Sequence, residues 1–288
     1  MYAAISGLDA HQTMLDVTAN NLANVDTVGY KAQSANFSDE LSQLLQSATT
    51  ANGYSAGTNP LQVGLGVQVG SIQNVMTAGG TQTTGNATDV LIQGDGFLRV
   101  ADGATNPPPF DATQYTRAGD LTFNSAGYLT TQTGQYVLGY KAQSNGAGGY
   151  QPVKSTPPVA ADAGNPILVP PGSTGVTIGP DGSVNYVNSS GSQITAGYIS
   201  LSTFPNEAGL QRDGGSLWSA TVASGSENVG QPGIGSFGST IGGELEQSNV
   251  DMGTEFTNMI EAERGYQANA STITTADQMM QTVVQMKQ

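Results

Sequence analysis

Hydrophobic positions recur with a helical period at both ends of the chain and with an alternating period between them. At the N-terminus Met1, Leu8, Leu15 and Leu22 return every seven residues, flanked by Ala4, Ile5, Thr18 and Ala19. At the C-terminus Met252, Met259, Tyr266, Ile273 and Met280 do the same, beside Phe256, Ala262, Ala270, Ala276, Val283 and Val284. Stripes this narrow are coiled-coil-like seams rather than the broad apolar face of a globular helix. They predict one helix over residues 1 to about 28 and another running from the N-cap Asp251 to Lys287. At ~1.5 Å per residue the second is roughly 50 Å long. Helical stability comes mostly from packing, so the two ends are expected to pair.

From about Asn52 to Gly243 the period shortens. The stretch "DVLIQGDGFLRVADG" reads as strand, Gly-Asp-Gly turn, strand, and "DLTFNSAGYLTTQTGQYVLGY" adds further short strands. A hairpin is expected around Pro180-Asp181-Gly182 in "TGVTIGPDGSVNYV", and "AGYISLSTF" supplies another strand. Residues 141 to 166 and Ser224 to Gly243 are Gly-rich and soft, which marks boundaries. The expected class is α+β and multidomain, with paired terminal helices and mainly-β domains nested between them. In residues, 1–30 with 250–288 form a terminal helical domain and 31–70 a connecting region. Residues 71–140 with 198–249 form a β-rich domain, and 141–197 a small outer β domain.

Composition narrows the chemistry. Charged residues are 10% of the chain, glycine stands at 39, and the net charge is −14. A globular protein ordinarily has about 25% charged residues and about 7% glycine. With four Lys and four Arg, no two adjacent, there is no basic patch for nucleic acid or an anionic membrane. The absence of cysteine excludes disulfides, zinc-thiolate sites and thiol catalysis. No window approaches the ~18 apolar residues of a membrane span. The first basic residue is Lys31, so no positively charged leader of a cleavable signal is present. A soluble protein without membrane insertion is expected, exported if at all by an unconventional route.

No motif offers catalysis, cofactor or metal binding. "GLGVQVG", Gly64 to Gly70, lacks the spacing and βαβ context of a nucleotide loop. The turns at Gly94 to Gly96 and Gly179 to Ser183 lack the further carboxylates of a calcium cage. Glu244 and Glu246 read as two exposed acids ahead of a helix cap, not as a glycosidase pair. His11, the single histidine, reads as structural.

The ends carry longer signatures. Ser6-Gly7-Leu8, the run Ala19-Asn20-Asn21-Leu22-Ala23-Asn24, and Thr27 with Gly29-Tyr30-Lys31 resemble the N-terminal signature of the flagellar rod and hook proteins. Leu245-Glu246 with Ser248-Asn249-Val250, Met259-Ile260, Arg264 with Tyr266, and Thr275 through Met279 resemble that family's C-terminal signature. The stretches "GTNPLQVGLGVQVGSI", "TQTTGNATDVLIQGDGFL" and "TFPNEAGLQRDGGSLW" are similar to its central region. Two departures stand out: Glu263 where the family has glutamine, and Ala270-Ser271 where it has Ser-Lys. Within the family, "GTNPLQVGLGVQVG" and "SNVDMGTEFTNMI" resemble hook proteins, whereas the length is nearer to rod proteins or short hook proteins.

The resemblance implies a non-enzymatic subunit without cofactor that self-assembles into a helical tube outside the cell. The first expectation is a flagellar hook, a flexible joint passing motor torque to the filament. The alternative is the distal rod, a rigid driveshaft of the basal body; a secreted β-rich binding module is a more distant reading. Implied partners are further copies of the chain, the rod, hook-cap and hook–filament junction proteins, and the flagellar type III export apparatus. Self-assembly is expected of Leu8, Leu15, Leu22, Asn20, Asn21, Asn24, Gly29 and Tyr30. At the other end it is expected of Met252, Phe256, Met259, Tyr266, Ile273 and Met280.

Overall fold

A computed structural model describes residues 1–48, 50, 57–103, 114–144, 150–152 and 164–286. The chain divides into two compact units, one of residues 1–24, 32–75 and 250–288, the other of residues 25–31 and 76–249.

The first unit holds the two long helices, α1 (Tyr2–Ala23) and α2 (Met252–Met286). They run antiparallel: Gly7 lies against Asn269, His11 against Gly265, and Asn21 reaches Glu255. The residues that α1 buries are Gly7, Ala10, Thr18 and Asn21, and α2 buries Ala262. Leu8, Leu15 and Leu22, one position round from Gly7 and Asn21, flank this line half-buried. Small side chains let the backbones approach, so the tightest contact follows size rather than hydrophobicity. Asp251 caps α2, its Oδ1 accepting the Gly253 N–H at 2.8 Å. Helix α1 stops at Ala23 instead of near residue 28, because Asn24 folds its side-chain amide back onto the Asn20 carbonyl, 2.8 Å away, and the chain turns.

Between the helices this unit carries a two-stranded ribbon. Strand β1 (Gln33–Asp39) pairs antiparallel with β4 (Val67–Asn74), and β2 (Ser42–Gln46) with β3 (Leu61–Gly64). Glu40 N–H to Gly66 C=O and Leu65 N–H to Leu41 C=O carry the pairing across the gap. Leu41, Leu44, Leu61 and Val63 on this ribbon are exposed.

Among its described residues the second unit is built of β-strands, with a 3-10 turn at Glu207–Gly209. Its early strands are β5 (Thr81–Thr83), β6 (Val90–Gln93), β7 (Phe97–Ala101) and β8 (Gln114–Thr116). The largest sheet is antiparallel and runs Thr174–Ile178, Ser183–Val187, Gln193–Ile199, Tyr136–Ser144, β7, β8, Leu217–Ser219, Gln211–Gly214. Thr174–Ile178 and Ser183–Val187 make the hairpin around Pro180-Asp181-Gly182. Strands β6 and β7 flank the Gly-Asp-Gly turn but do not pair. β6 joins Ser239–Gly242, while β7 joins the large sheet. Gly94 and Gly96 have φ of 112° and 136°, a backbone that sends the chain from one ladder to another.

One apolar cluster fills this unit, including Val90, Leu98, Val100, Leu129, Val137, Val184, Ile199 and Leu201. Ile167, Val169, Ile178 and Tyr186 belong to the same cluster, so the described part of 141–197 shares its core with the rest. A second, aromatic cluster joins Phe97, Tyr115, Phe204, Leu210 and Trp218. Among the described residues no helix is long and apolar enough to cross a membrane.

Candidate functional site

The N-terminal signature leaves the helical unit halfway through. Residues Val25–Lys31 belong to the β unit, which the chain re-enters at Met76 and leaves at Asn249. Three of the four crossings, at Lys31, Met76 and Asn249, gather around one carboxylate, that of Glu246. Lys31 Nζ donates to Glu246 Oε1 at 2.6 Å and to the Thr77 carbonyl at 2.9 Å. The Gly79 N–H donates to the same carboxylate oxygen at 2.9 Å. Arg117 places Nη1 3.5 Å from Oε2 and donates through Nη2 to the Gly94 carbonyl at 3.0 Å. Backbone bonds reinforce the knot: Gly29 N–H to Glu246 C=O at 2.8 Å, and Asn249 N–H to Tyr30 C=O at 3.4 Å. The Asn249 amide also donates to the Thr77 carbonyl at 3.1 Å.

Lys31 and Glu246 are each 1% exposed. Neither charge would survive there alone, because an unpaired buried ion costs far more than a paired one. Burial pushes the Glu246 carboxyl up. The hydrogen bond and charge of Lys31, with the Gly79 N–H and Arg117, outweigh that and hold it below the usual carboxylate range. Burial draws Lys31 below its ordinary value, against the opposing pull of Glu246. The direction for Glu246 decides the charge state, since three donors converge on it and an ionised carboxylate keeps the ammonium as its partner. Glu246 is therefore not the exposed acid expected from sequence. The short strand Glu244–Glu246 pairs with β5, and at its end Lys31, Gly79 and Arg117 enclose Glu246 while Glu244 stays partly exposed.

Around this carboxylate the Thr27–Lys31 loop is tightly specified. Gly29 has φ +66°, and a Cβ there would lie 2.6 Å from the Ala118 nitrogen, so only glycine fits. The Tyr30 ring is buried beneath the Arg212 guanidinium, 4.6 Å from its centroid. Arg212 also stacks over Trp218 at 4.9 Å and donates to the Lys31 carbonyl. Ser216, in the left-handed region at φ 60°, donates its hydroxyl to the Val28 carbonyl at 3.3 Å. A left-handed serine costs of order 1–3 kcal/mol, and here it closes the loop from outside.

The remaining predicted residues lie in the helical unit. Asn21 Nδ2 donates to the Gln33 carbonyl at 2.7 Å, and Asn21 Oδ1 accepts the Gln33 N–H at 2.9 Å. Its amide thus pairs with β1 as a peptide group would, while also donating to Glu255 at 3.1 Å. Asn20 is exposed, and Asn24 turns back onto α1. Met259 and Ile273 are half-buried, whereas Met252, Phe256, Tyr266 and Met280 are exposed. The structure therefore gathers Gly29 and Tyr30 with Lys31, Arg117 and Glu246, three residues absent from the expected set. One signal could have found Lys31: it is the first of only eight cations in an acidic chain and closes the N-terminal signature. Nothing in this arrangement is a nucleophile beside a base. It is a charge-compensated clamp on main chain.

The comparisons with known proteins agree with the two signatures. Residues 1–31 match a family described as flagella basal body rod protein, 91–186 the flagellar hook protein FlgE/F/G D1 domain, and 241–286 the flagellar basal body rod FlgEFG protein C-terminal family. The chain is 37% identical to the flagellar basal-body rod protein FlgG of Bacillus subtilis over 288 residues, 100% of this chain and 98% of that one. It is 33% identical to FlgG of Caulobacter vibrioides, over 99% of this chain and 97% of the relative. The flagellar hook protein FlgE of Borreliella burgdorferi is 25% identical over an alignment of 444 residues that spans 100% of this chain and 99% of the hook protein. End-to-end identity of this kind, with both signatures meeting at one buried carboxylate, shows that the chain belongs to the flagellar rod and hook protein family.

Proposed function

We propose that the chain is the distal-rod subunit of the bacterial flagellum, polymerising into the rigid shaft of the basal body. Membership of the family makes it a structural component of the flagellum that polymerises, rather than an enzyme. The observation that carries the rod reading is the match in length: rod relatives align with it over 288 and 287 residues at 37% and 33% identity. The hook relative needs 444 aligned positions for 288 residues, at 25%. The hook expectation rested on "GTNPLQVGLGVQVG", on the β3–β4 side of the ribbon, and on "SNVDMGTEFTNMI", which leads into the first turns of α2.

The clamp suits a shaft. Torque passing through a subunit loads the chain crossings of the β unit, and Lys31, Thr77, Gly79 and Asn249 tie three of the four to Glu246 or its neighbours by hydrogen bonds, the Lys31–Glu246 bond charge-assisted. Immunogold labelling of isolated, intact flagellar bases tests the reading. Gold along the straight shaft within the envelope is expected. Gold on a short curved segment outside it would overturn the rod and return the hook.

A further inference from the structure

Each terminal helix has one glycine in its interior, Gly7 in α1 and Gly265 in α2. A glycine there costs about 1 kcal/mol relative to alanine, so a packing reason is needed. The structure supplies one on both sides. A Cβ on Gly7 would lie 2.6 Å from the Asn269 amide nitrogen, and a Cβ on Gly265 would run into the His11 ring. Each helix thus offers a notch and, four residues away, the side chain that fills the other's notch. Phe37 of β1 stands edge-on behind the imidazole, with ring centroids 6.1 Å apart, and limits its escape.

We infer that His11 in the Gly265 notch and Asn269 in the Gly7 notch form a reciprocal lock that fixes the register of α1 on α2. A slip of one turn would set His11 against Asn269 or Glu261, side chains that offer no notch. The leucine seam cannot supply this specificity, because a seven-residue repeat fits nearly as well after a slip of one heptad. Asn21, bonded to Glu255 three turns further along, agrees with the same register. The lock acts within one chain and does not depend on the rod reading.

The chain has no cysteine, so introduced pairs report register directly. Extending the step between the facing pairs sets Met14 opposite Ala262. In the purified full-length chain, Met14→Cys with Ala262→Cys is expected to form an intramolecular disulfide on oxidation. Met14→Cys with Asn258→Cys or with Tyr266→Cys, each displaced by about 6 Å, is not. Adding Gly265→Ala should lower the in-register crosslink about fivefold or more, although alanine is the better helix former. Adding His11→Ala to Gly265→Ala should bring it back. Trp218 fluorescence confirms in each variant that the β unit is folded. Undiminished crosslinking in Gly265→Ala, failure of His11→Ala to restore it, or no in-register crosslink in the parent would each overturn the lock.

Discussion

The two units solve the same problem, holding a defined geometry, with opposite materials. The β unit has a closed apolar core and also buries a cluster of charges, Lys31 and Arg117 on Glu246. The helical unit buries glycine, alanine, threonine and asparagine, while leaving Met280, Val283 and Val284 in solvent. Hydrophobicity therefore marks the core in one unit and the uncovered surface in the other. What specifies position in both is polar or steric: an ion cluster in the first, notches and one amide in the second.

The contrast can be broken most severely at Glu246. Glu246→Ala leaves Lys31 and Arg117 buried without compensation and should cost roughly 3–5 kcal/mol, read by denaturant unfolding followed at Trp218. Replacing Lys31 and Glu246 together by Met and Leu should cost less, since only Arg117 is then left without its carboxylate instead of two buried cations. If the single and double changes cost the same, the pair is not the unit of stability.

Acid provides a gentler probe of the same group. Glu246 titrates lower when folded than when unfolded. Its contribution is therefore complete above the unfolded carboxylate range and is lost as pH falls through the folded value. Unfolding free energy measured downward from neutral pH should fall more steeply in the parent than in Glu246→Gln. Parallel pH profiles would count against the assignment.

In the helical unit, Asn21→Ala removes the two bonds to Gln33 and the one to Glu255. About 1–3 kcal/mol should be lost, visible as faster hydrogen exchange at the Gln33 amide. Trp218, in the other unit, should unfold at an unchanged denaturant midpoint if the two units are independently stable. The smallest effect belongs to the exposed stripe: Met280→Ala should change the stability of the free chain by less than about 0.5 kcal/mol, by calorimetry.

Much of this was legible in the chain itself. Seven-residue repeats without proline located both helices, and alternation with Gly-rich turns located the strands, because each period reflects local backbone geometry. The hairpin at Pro180-Asp181-Gly182 is local for the same reason. Less visible was the line along which the helices meet. The leucines announce a seam, but small residues one position round make the closest contact, and smallness has no periodic signal of its own. Nor could the alternation across the Gly-Asp-Gly turn show that β6 and β7 leave it for different partners. The clamp was hidden by distance, since Lys31 and Glu246 lie at opposite ends of the chain and each alone resembles a surface charge.

The antiparallel register also makes the molecule a ruler. With Gly7 opposite Asn269, the first residue of α1, Tyr2, stands opposite Thr274. Everything from Thr275 to Met286 projects past it, ~18 Å of helix at 1.5 Å per residue, carrying Met279, Met280, Val283 and Val284. A shift of one turn would change that projection by about a third. Every copy of the chain thus carries a protrusion of the same length, measured out within the molecule before any second copy is met.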